Sequence, residues 1–184
     1  MLVEGESDAN AVRALAVRVG CDLDSGRIAI VSAGGVTNFA RVLLAHLRAH
    51  PHARVCGMYD IGEEWHVRRA LARAELLKSD SGSLEASGFF ACVADLEDEL
   101  IRALGVAAVE RVVEEQSELA SFRRFQAMPE HRHSQTHQQL HRFLGTRATR
   151  KIRSATRLAE ALDLANLPRP LQQLAARLRA VDDA

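Results

Sequence analysis

The feature that most constrains the fold of this chain is a change of hydrophobic pattern near residue 96. Before it, short apolar runs alternate with segments whose apolar residues recur every three or four positions, and after it only the helical period remains. Strands that alternate with helices indicate a parallel sheet with helices on both faces. The pattern therefore predicts an α/β fold, with a parallel sheet flanked by helices and a helical C-terminal extension.

The predicted elements follow from the spacing of apolar residues and from glycine, proline and polar interruptions. Strands are predicted at residues 2–3, 27–32, 55–60 and 88–93. Helices are predicted between them at 8–19, 38–49 and 64–77, with Ser7 as the cap of the first. A polar loop is predicted after the third helix, at 79–83. Further helices are predicted at 96–104, 106–116, 119–127, 135–144, 148–164 and 170–180. We assign the α/β core to 1–105 and the extension packed on it to 106–184, as one domain overall.

Composition and cysteine usage exclude several classes of protein. The chain has 184 residues, of which 47% are hydrophobic and 26% charged, as in ordinary soluble domains. It contains no apolar run of the roughly eighteen residues that a membrane span needs, and its start lacks the pattern of a signal peptide. The three isolated cysteines, Cys21, Cys56 and Cys92, predict reduced, buried thiols in a cytoplasmic protein.

The net charge of zero hides a strong asymmetry along the chain. Residues 1–122 contain 12 Lys and Arg against 19 Asp and Glu, whereas residues 123–157 contain nine basic residues and one acidic residue. Composition alone favours two separate solvated faces. The alternative is a metal-dependent enzyme that acts on a polyanion, since carboxylates hold cations and arginines hold phosphates.

Acidic residues follow three of the predicted strands. They are Glu4, with Asp8 one helical turn later, then Asp60, and finally Asp95 with Glu97. Each acid alone fits a turn or a helix cap. Because ligands gather beyond the carboxyl ends of parallel strands, and because converging carboxylates need divalent cations, the repeated pattern predicts a metal site at this sheet edge. Hard oxygen ligands suit Mg²⁺ or Mn²⁺.

Several stretches of the sequence also resemble a known family. Residues 3–8, VEGESD, resemble the Glu-Gly-x-x-Asp start of a Toprim domain, and Asp60 stands where the Toprim Asp-x-Asp motif follows its third strand. Residues 94–100, ADLEDEL, and residues 151–155, KIRSA, with the later Pro168, resemble the Toprim domain of OLD-family (overcoming lysogenisation defect) endonucleases. The resemblance extends from residue 2 to about 178 and implies a Toprim-like parallel sheet.

The resemblance implies Mg²⁺-dependent cleavage of phosphodiester bonds in DNA. In that scheme Glu4 and Asp8 bind metal, and Glu4 also assists proton transfer. Asp60 is a central ligand, Glu97 completes the second metal position, and Lys151 neutralises charge that develops on the phosphate. The chain has only two lysines against 22 arginines, so a lysine at position 151 favours a specific role there.

Two departures from the family pattern change what is expected of the metal site and of control by ATP. Gly62 replaces the second acid of Asp-x-Asp, so either Glu63 or Glu64 supplies the missing ligand or one metal is bound weakly. No phosphate-binding loop is present, so control by ATP requires a separate ATPase chain. The alternative function is a degenerate, non-catalytic Toprim module that binds nucleic acid or a partner ATPase. A primase-like nucleotidyl transferase is a third hypothesis, without a supporting nucleotide motif, and a homodimer is left open.

Two other groups of residues need an interpretation. Arg147, Arg150 and Arg153 surround Lys151 at the start of a predicted helix, and we expect them to bind the phosphate backbone of DNA. A group of four histidines could bind zinc. The interleaved Arg132 and Arg142 would repel a bound cation, so a solvated or DNA-facing helix is favoured. These histidines are His131, His133, His137 and His141. Trp65 and the phenylalanines are predicted to pack in the core or an interface.

Overall fold

The computed structural model describes residues 1–77 and 83–182 and contains a four-stranded sheet. The strands are β1 (Leu2–Val3), β2 (Val31–Ser32), β3 (Gly57–Asp60) and β4 (Phe89–Cys92). They lie in the order β2-β1-β3-β4, and each neighbouring pair is parallel. The predicted parallel sheet is therefore confirmed. The polar loop predicted at 79–83 lies outside the described residues, except for its last position.

Each helix predicted from the sequence has a counterpart in the structure. The first three are α1 (Glu6–Arg18), α2 (Phe39–Ala49) and α3 (Glu64–Arg73). The others are α4 (Leu96–Leu104), α5 (Val106–Glu115), α6 (Leu119–Ala127), α7 (Thr136–Gly145), α8 (Ala148–Ala161) and α9 (Arg169–Asp182). The predicted flanking helices and the helical C-terminal extension are therefore also confirmed.

The structure corrects the predicted start of the first helix. Ser7 is not its cap, because α1 begins at Glu6 and Ser7 is buried inside its first turn. The carboxylate of Asp8 instead accepts a hydrogen bond from the backbone N–H of Gly5, with Oδ2 at 2.8 Å. This bond satisfies an amide that precedes the helix and fixes the side chain of Asp8 beside the end of β1.

Two hydrophobic clusters lie on opposite faces of the sheet. The smaller one packs α2 and α3 on the sheet through residues such as Phe39, Leu71 and Phe89. The larger one contains α1 and the helices of the extension, and α1 packs along α8. Arg18 of α1 donates hydrogen bonds to two carbonyl groups at the end of α8, at 2.8 and 2.7 Å. The extension therefore shares its core with the sheet, while the boundary at residue 105 stays a prediction.

Gly57 allows the central strands to pair closely. It sits in β3 opposite Leu2 of β1 on one side and Phe89 of β4 on the other. A Cβ atom at this position would lie 2.3 Å from the carbonyl oxygen of Leu2 and 2.7 Å from the ring of Phe89. Since both contacts are impossible, only glycine lets these three strands lie side by side here.

The structure also bears on the predictions about the cysteines and about membrane spans. The three cysteines are free thiols, two of them buried and Cys56 partly so, as predicted. In the part of the chain that the structure describes, no helix combines the length and apolar character needed to cross a membrane.

Candidate functional site

The sheet topology brings the predicted acidic residues to one edge. Strands β1, β3 and β4 are adjacent and parallel, so their carboxyl ends point the same way. Glu4 follows β1, Asp60 ends β3, and Glu97 lies in the first turn of α4, just after β4. Glu4 and Asp60 line one small cavity together with Asp8. The edge is therefore the place where these side chains can act together.

The carboxylates at this edge are strongly coupled. Burial, followed by the charge of Glu97, raises the pKa of Asp8 to about 6. Burial, followed by the charges of Glu4 and Asp8, raises the pKa of Asp60 to about 7. The pKa of Glu4 is also raised, first by burial and then by Glu63. Buried acids that repel one another bind protons or cations more readily than isolated ones.

Glu97 is the most unusual of these side chains. It is only 4% exposed, and neither of its carboxylate oxygens accepts a hydrogen bond from a described residue. The Nζ atom of Lys151 lies 3.3 Å from Oε1, which makes an ion pair without the angles of a hydrogen bond. Burial alone would lower the pKa of Lys151, but the charges of Glu97 and Asp8 raise it. The ammonium group of Lys151 therefore offsets part of the cost of burying this carboxylate, and Oε2 is left without a hydrogen-bond partner among the described residues.

We tested whether these residues fit a divalent cation. Among residues 1–77 and 83–182, no three His, Cys, Asp or Glu side chains are close enough together to hold a metal ion as they stand. The donors are all carboxylate oxygens, which suit Mg²⁺ or Mn²⁺, and both oxygens of Glu97 lack a hydrogen-bond donor. The chemistry of the residues therefore fits the ion, and their spacing is wider than that of bound ligands.

The structure separates the two candidates for the missing acid of Asp-x-Asp. Glu64 begins α3 and pairs with Arg68, with 2.6 Å between Oε1 and Nη2. Glu63 lies close enough to Glu4 to raise its pKa, and it is 3.8 Å from the ring of His66. Glu63 is therefore the candidate whose charge acts on the acidic edge, whereas Glu64 is paired within α3.

The arginines predicted to bind DNA lie in different environments. Arg147 is exposed at the start of α8, whereas Arg150 is 7% exposed and lies over the ring of Phe143 at 4.0 Å. Arg150 donates to Glu118 at 2.6 Å, and Arg153 donates to the other oxygen of Glu118 at 2.7 Å. The placement of Arg150 argues against the predicted phosphate contact, because internal partners occupy its guanidinium group.

The histidines of α7 contact the acidic edge, which the sequence interpretation missed. His141 is 2.7 Å from Asp95, and His137 is 2.6 Å from Asp98. The hydrogen bond that the ring of His141 donates to Asp95 raises the pKa of His141. Burial would raise the pKa of Asp95, but His141 and the backbone amide of Asp98 lower it. Together these contacts fix the first turn of α4, which contains Glu97.

A signal for the histidine contacts was present in the sequence. His137 and His141 are four residues apart on one helix, and Asp95 and Asp98 are three apart on another, so each pair shares a helix face. What the pattern does not show is that α7 packs on α4. His131, by contrast, stacks on Phe125 with ring centroids 3.8 Å apart.

Trp65 is also placed differently from the prediction. It was expected to be packed in the core or an interface, but it is 61% exposed on α3. The guanidinium of Arg69 lies 5.1 Å from the centre of its ring. The core alternative is wrong because α3 buries Val67, Ala70 and Leu71, and Trp65 lies on the opposite face of the helix, while packing in an interface stays a prediction.

Comparisons with known proteins agree with the fold and with the start of the chain. The family model described as "Overcoming lysogenization defect protein-like, TOPRIM domain" matches residues 1–53. The C-terminal region of the Burkholderia pseudomallei OLD protein is 21% identical, with a TM-score of 0.63, over 98% of this chain and 96% of that chain. The corresponding region of the Xanthomonas campestris pv. campestris OLD protein is also 21% identical, with a TM-score of 0.66, over 98% and 94%. The comparison with curated proteins found no match.

Proposed function

We propose that this chain, an OLD-like Toprim domain by its fold and its N-terminal sequence, is a Mg²⁺-dependent nuclease domain that cleaves DNA. The observation that most supports the proposal is the buried carboxylate of Glu97. Its Oε2 atom has no hydrogen-bond partner among the described residues, Lys151 lies 3.3 Å from its Oε1 atom, and its charge is coupled to Asp8 and Asp60. Unsatisfied buried charge is expensive, so its presence beside other acids favours a site that binds a cation.

In this proposal the position of each side chain at the sheet edge determines its role. Glu4, Asp8, Asp60 and Glu97 would hold the metal, with Glu63 as a further ligand. A bound divalent cation lowers the pKa of water and stabilises charge on a phosphate ester. Burial, followed by the charge of Glu63, raises the pKa of Glu4, which makes it a stronger proton acceptor than an isolated glutamate. Lys151, half-exposed beside Glu97, can place its ammonium against a phosphate oxygen.

One observation favours the alternative of a non-catalytic module. Gly62 takes the place of the second acid of Asp-x-Asp, and within the described residues no three potential ligands lie at metal-binding distances. A protein of this kind would bind nucleic acid or a partner ATPase without cleavage. In either case the proposal includes DNA as a partner, and any control by ATP would come from an ATPase domain outside residues 1–184.

A plasmid-nicking assay tests the proposal. We expect supercoiled plasmid to be converted to nicked or linear DNA with Mg²⁺ or Mn²⁺, and to stay intact in EDTA. Glu4→Ala and Asp60→Asn should remove the activity, since each alters a ligand. Arg48→Ala, an exposed change on α2, is the matched control and should cleave normally. Plasmid binding without cleavage in either metal would favour the non-catalytic alternative.

Calorimetric titration with Mn²⁺ tests the role of Glu63. We expect two binding events, one of which should be lost or weakened about tenfold in Glu63→Gln. Glu64→Gln is the matched control, because Glu64 pairs with Arg68 and should not contribute. A single event that neither substitution changes would mean that only one metal binds.

A further inference from the structure

Trp65 is the only tryptophan in the chain, and it stands on the surface. It is 61% exposed, and Ile61, four residues earlier, is 52% exposed. Ile61 follows Asp60 directly, and Trp65 lies in the first turn of α3, so both belong to the segment that leads away from the acidic edge. Side chains in a helix lean toward its N-terminus, so the ring of Trp65 leans toward the end of α3 that adjoins the acidic edge.

The exposed face of α3 around this ring is cationic. Arg69 lies over the ring at 5.1 Å, and the ring of His66 meets it edge-on at 5.1 Å. Arg69 and Arg73 form no ion pair with any residue that the structure describes. Of the acids in the first turn, Glu64 pairs with Arg68, and Glu63 lies near Glu4 and 3.8 Å from the ring of His66. The face therefore combines one open aromatic ring with unneutralised guanidinium groups.

We propose that Trp65 stacks an unpaired nucleobase while Arg69 and Arg73 hold neighbouring phosphates. The inference rests on the proposed function and names its substrate class, a nucleic acid with a single-stranded segment at the acidic edge. An aromatic ring flanked by cations is what binds single strands without regard to sequence. In duplex DNA the bases are stacked on one another, so their faces are closed to such a ring. Arg69 covers one side of the indole, and the base takes the other.

The charges around Trp65 favour this occupant over a protein. A protein partner would be expected to bury a wider apolar area around the aromatic ring. Here Ile61, one turn before Trp65, is the other large apolar residue exposed beside it, and the rest of this side carries His66, Arg69 and, two turns on, Arg73. A polyanion matches this face in charge, and a nucleobase matches the ring in shape and polarity.

Tryptophan fluorescence tests the inference at one residue, since no other tryptophan contributes. The protein is titrated in EDTA, which prevents cleavage, with a single-stranded oligothymidylate, an abasic strand of the same length and a duplex. We expect the base-containing strand to quench the emission of Trp65. The abasic strand should bind more weakly and quench little, and the duplex should also quench little.

Single substitutions then distinguish a loss of stacking on Trp65 from a general loss of folded protein. In an anisotropy assay with a labelled single strand, Trp65→Ala should weaken binding by roughly 5- to 150-fold, and Trp65→Phe should recover most of the loss. Arg73→Ala should reduce the salt dependence of binding by about one contact. Val17→Ala, which alters an equally exposed apolar residue on α1, is the matched control and should bind normally.

Four outcomes would overturn the inference. The first two are normal binding by Trp65→Ala and equal quenching by the abasic strand. The third is that the wild-type protein binds no single strands. The fourth is that the emission changes with protein concentration alone, which would mean that a second copy covers the ring. The nuclease proposal fails separately. If single strands quench Trp65 as expected but plasmid is never nicked, stacking stands and cleavage does not. If Trp65→Ala binds normally while plasmid is nicked, only the inference fails.

Discussion

Two glutamates, Glu118 and Glu97, each pair with basic residues of helix α8, but only Glu118 accepts hydrogen bonds at both carboxylate oxygens. Glu118 accepts hydrogen bonds from Arg150 and Arg153, one on each carboxylate oxygen, at 2.6 and 2.7 Å. Glu97 is more deeply buried, accepts no hydrogen bond from a described residue, and has Lys151 at 3.3 Å. The first carboxylate connects helices of the extension to one another. The carboxylate of Glu97 lacks such hydrogen bonds and lies at the sheet edge beside the other acids.

The difference follows from the chemistry of the two cations. A guanidinium group is planar and presents several N–H donors, so two arginines can satisfy both oxygens of one carboxylate. An ammonium group is a compact point charge on a flexible stem, which can balance a carboxylate without filling its hydrogen-bonding positions. Glu118 is therefore tied into the fold by both of its oxygens, whereas Glu97 has an ion pair at one oxygen and no hydrogen-bond partner among the described residues at the other.

The largest expected effect is on cleavage, at Lys151. Lys151→Met should reduce plasmid nicking by roughly 10²- to 10³-fold, because its charge is needed mainly when negative charge develops on the phosphate. DNA binding should stay nearly intact. Arg153→Ala, two residues along the same helix, is the control and should retain cleavage. If both variants lose binding equally and cleave in proportion, Lys151 is an ordinary surface cation.

The next effect is on stability, at Arg150. Arg150→Ala should lower the free energy of unfolding by about 2–4 kcal/mol, since it removes a buried partner of Glu118 and the packing on Phe143. Urea denaturation measures it, with the exposed Arg147→Ala as the control, which should change stability by less than about 0.5 kcal/mol. Unchanged stability with a flatter salt dependence of DNA binding would instead place Arg150 on the phosphate backbone.

The two glutamates should respond oppositely to the same substitution. Glu118→Gln should lower the free energy of unfolding by about 1–2 kcal/mol, because charge-assisted hydrogen bonds are lost. Glu97→Gln should leave it unchanged or raise it by about 1 kcal/mol in EDTA, because it removes an unsatisfied charge that repels its neighbours. Thermal unfolding of both variants measures the contrast. A loss of stability in Glu97→Gln as large as that in Glu118→Gln would remove the distinction between the two residues.

The smallest effect is a dependence of stability on pH. The pKa values of Asp8 and Asp60, about 6 and about 7, lie above the value of about 4 expected for unfolded aspartates. Between pH 4 and 7 the folded protein therefore keeps protons that the unfolded chain has lost. This contribution is fully present below about pH 4 and is lost as pH rises through 6 to 7.

In EDTA the melting temperature should accordingly fall by a few degrees between pH 5 and pH 8, on the order of 1 kcal/mol per group after solvent screening. Asp60→Asn should flatten the decline. Saturating Mn²⁺ should reverse it, because ionised carboxylates bind the cation better. A melting temperature in EDTA that rises over this range would mean that the acids at the sheet edge are not coupled as described.

The sequence alone was sufficient for the order of elements and for the position of the acidic residues. Helical and strand periods depend on nearby residues, so α4 and α6 were predicted with the bounds observed. Glu4 and Asp60 were expected at one edge because parallel strands all end on the same side of a sheet. The resemblance at residues 3–8 added the fold of the OLD proteins, which the comparisons support.

Only the tertiary structure decided which neighbour each side chain meets. Periodicity shows that Lys151 and Arg150 lie next to each other on α8, but not that one contacts α4 and the other the segment before α6. It also does not show that His141 reaches Asp95, which is 46 residues away. Trp65 was assigned to packing because it is large and apolar, yet exposure depends on which elements cover a face. Local sequence sets the face of each helix, and long-range packing decides what that face contacts.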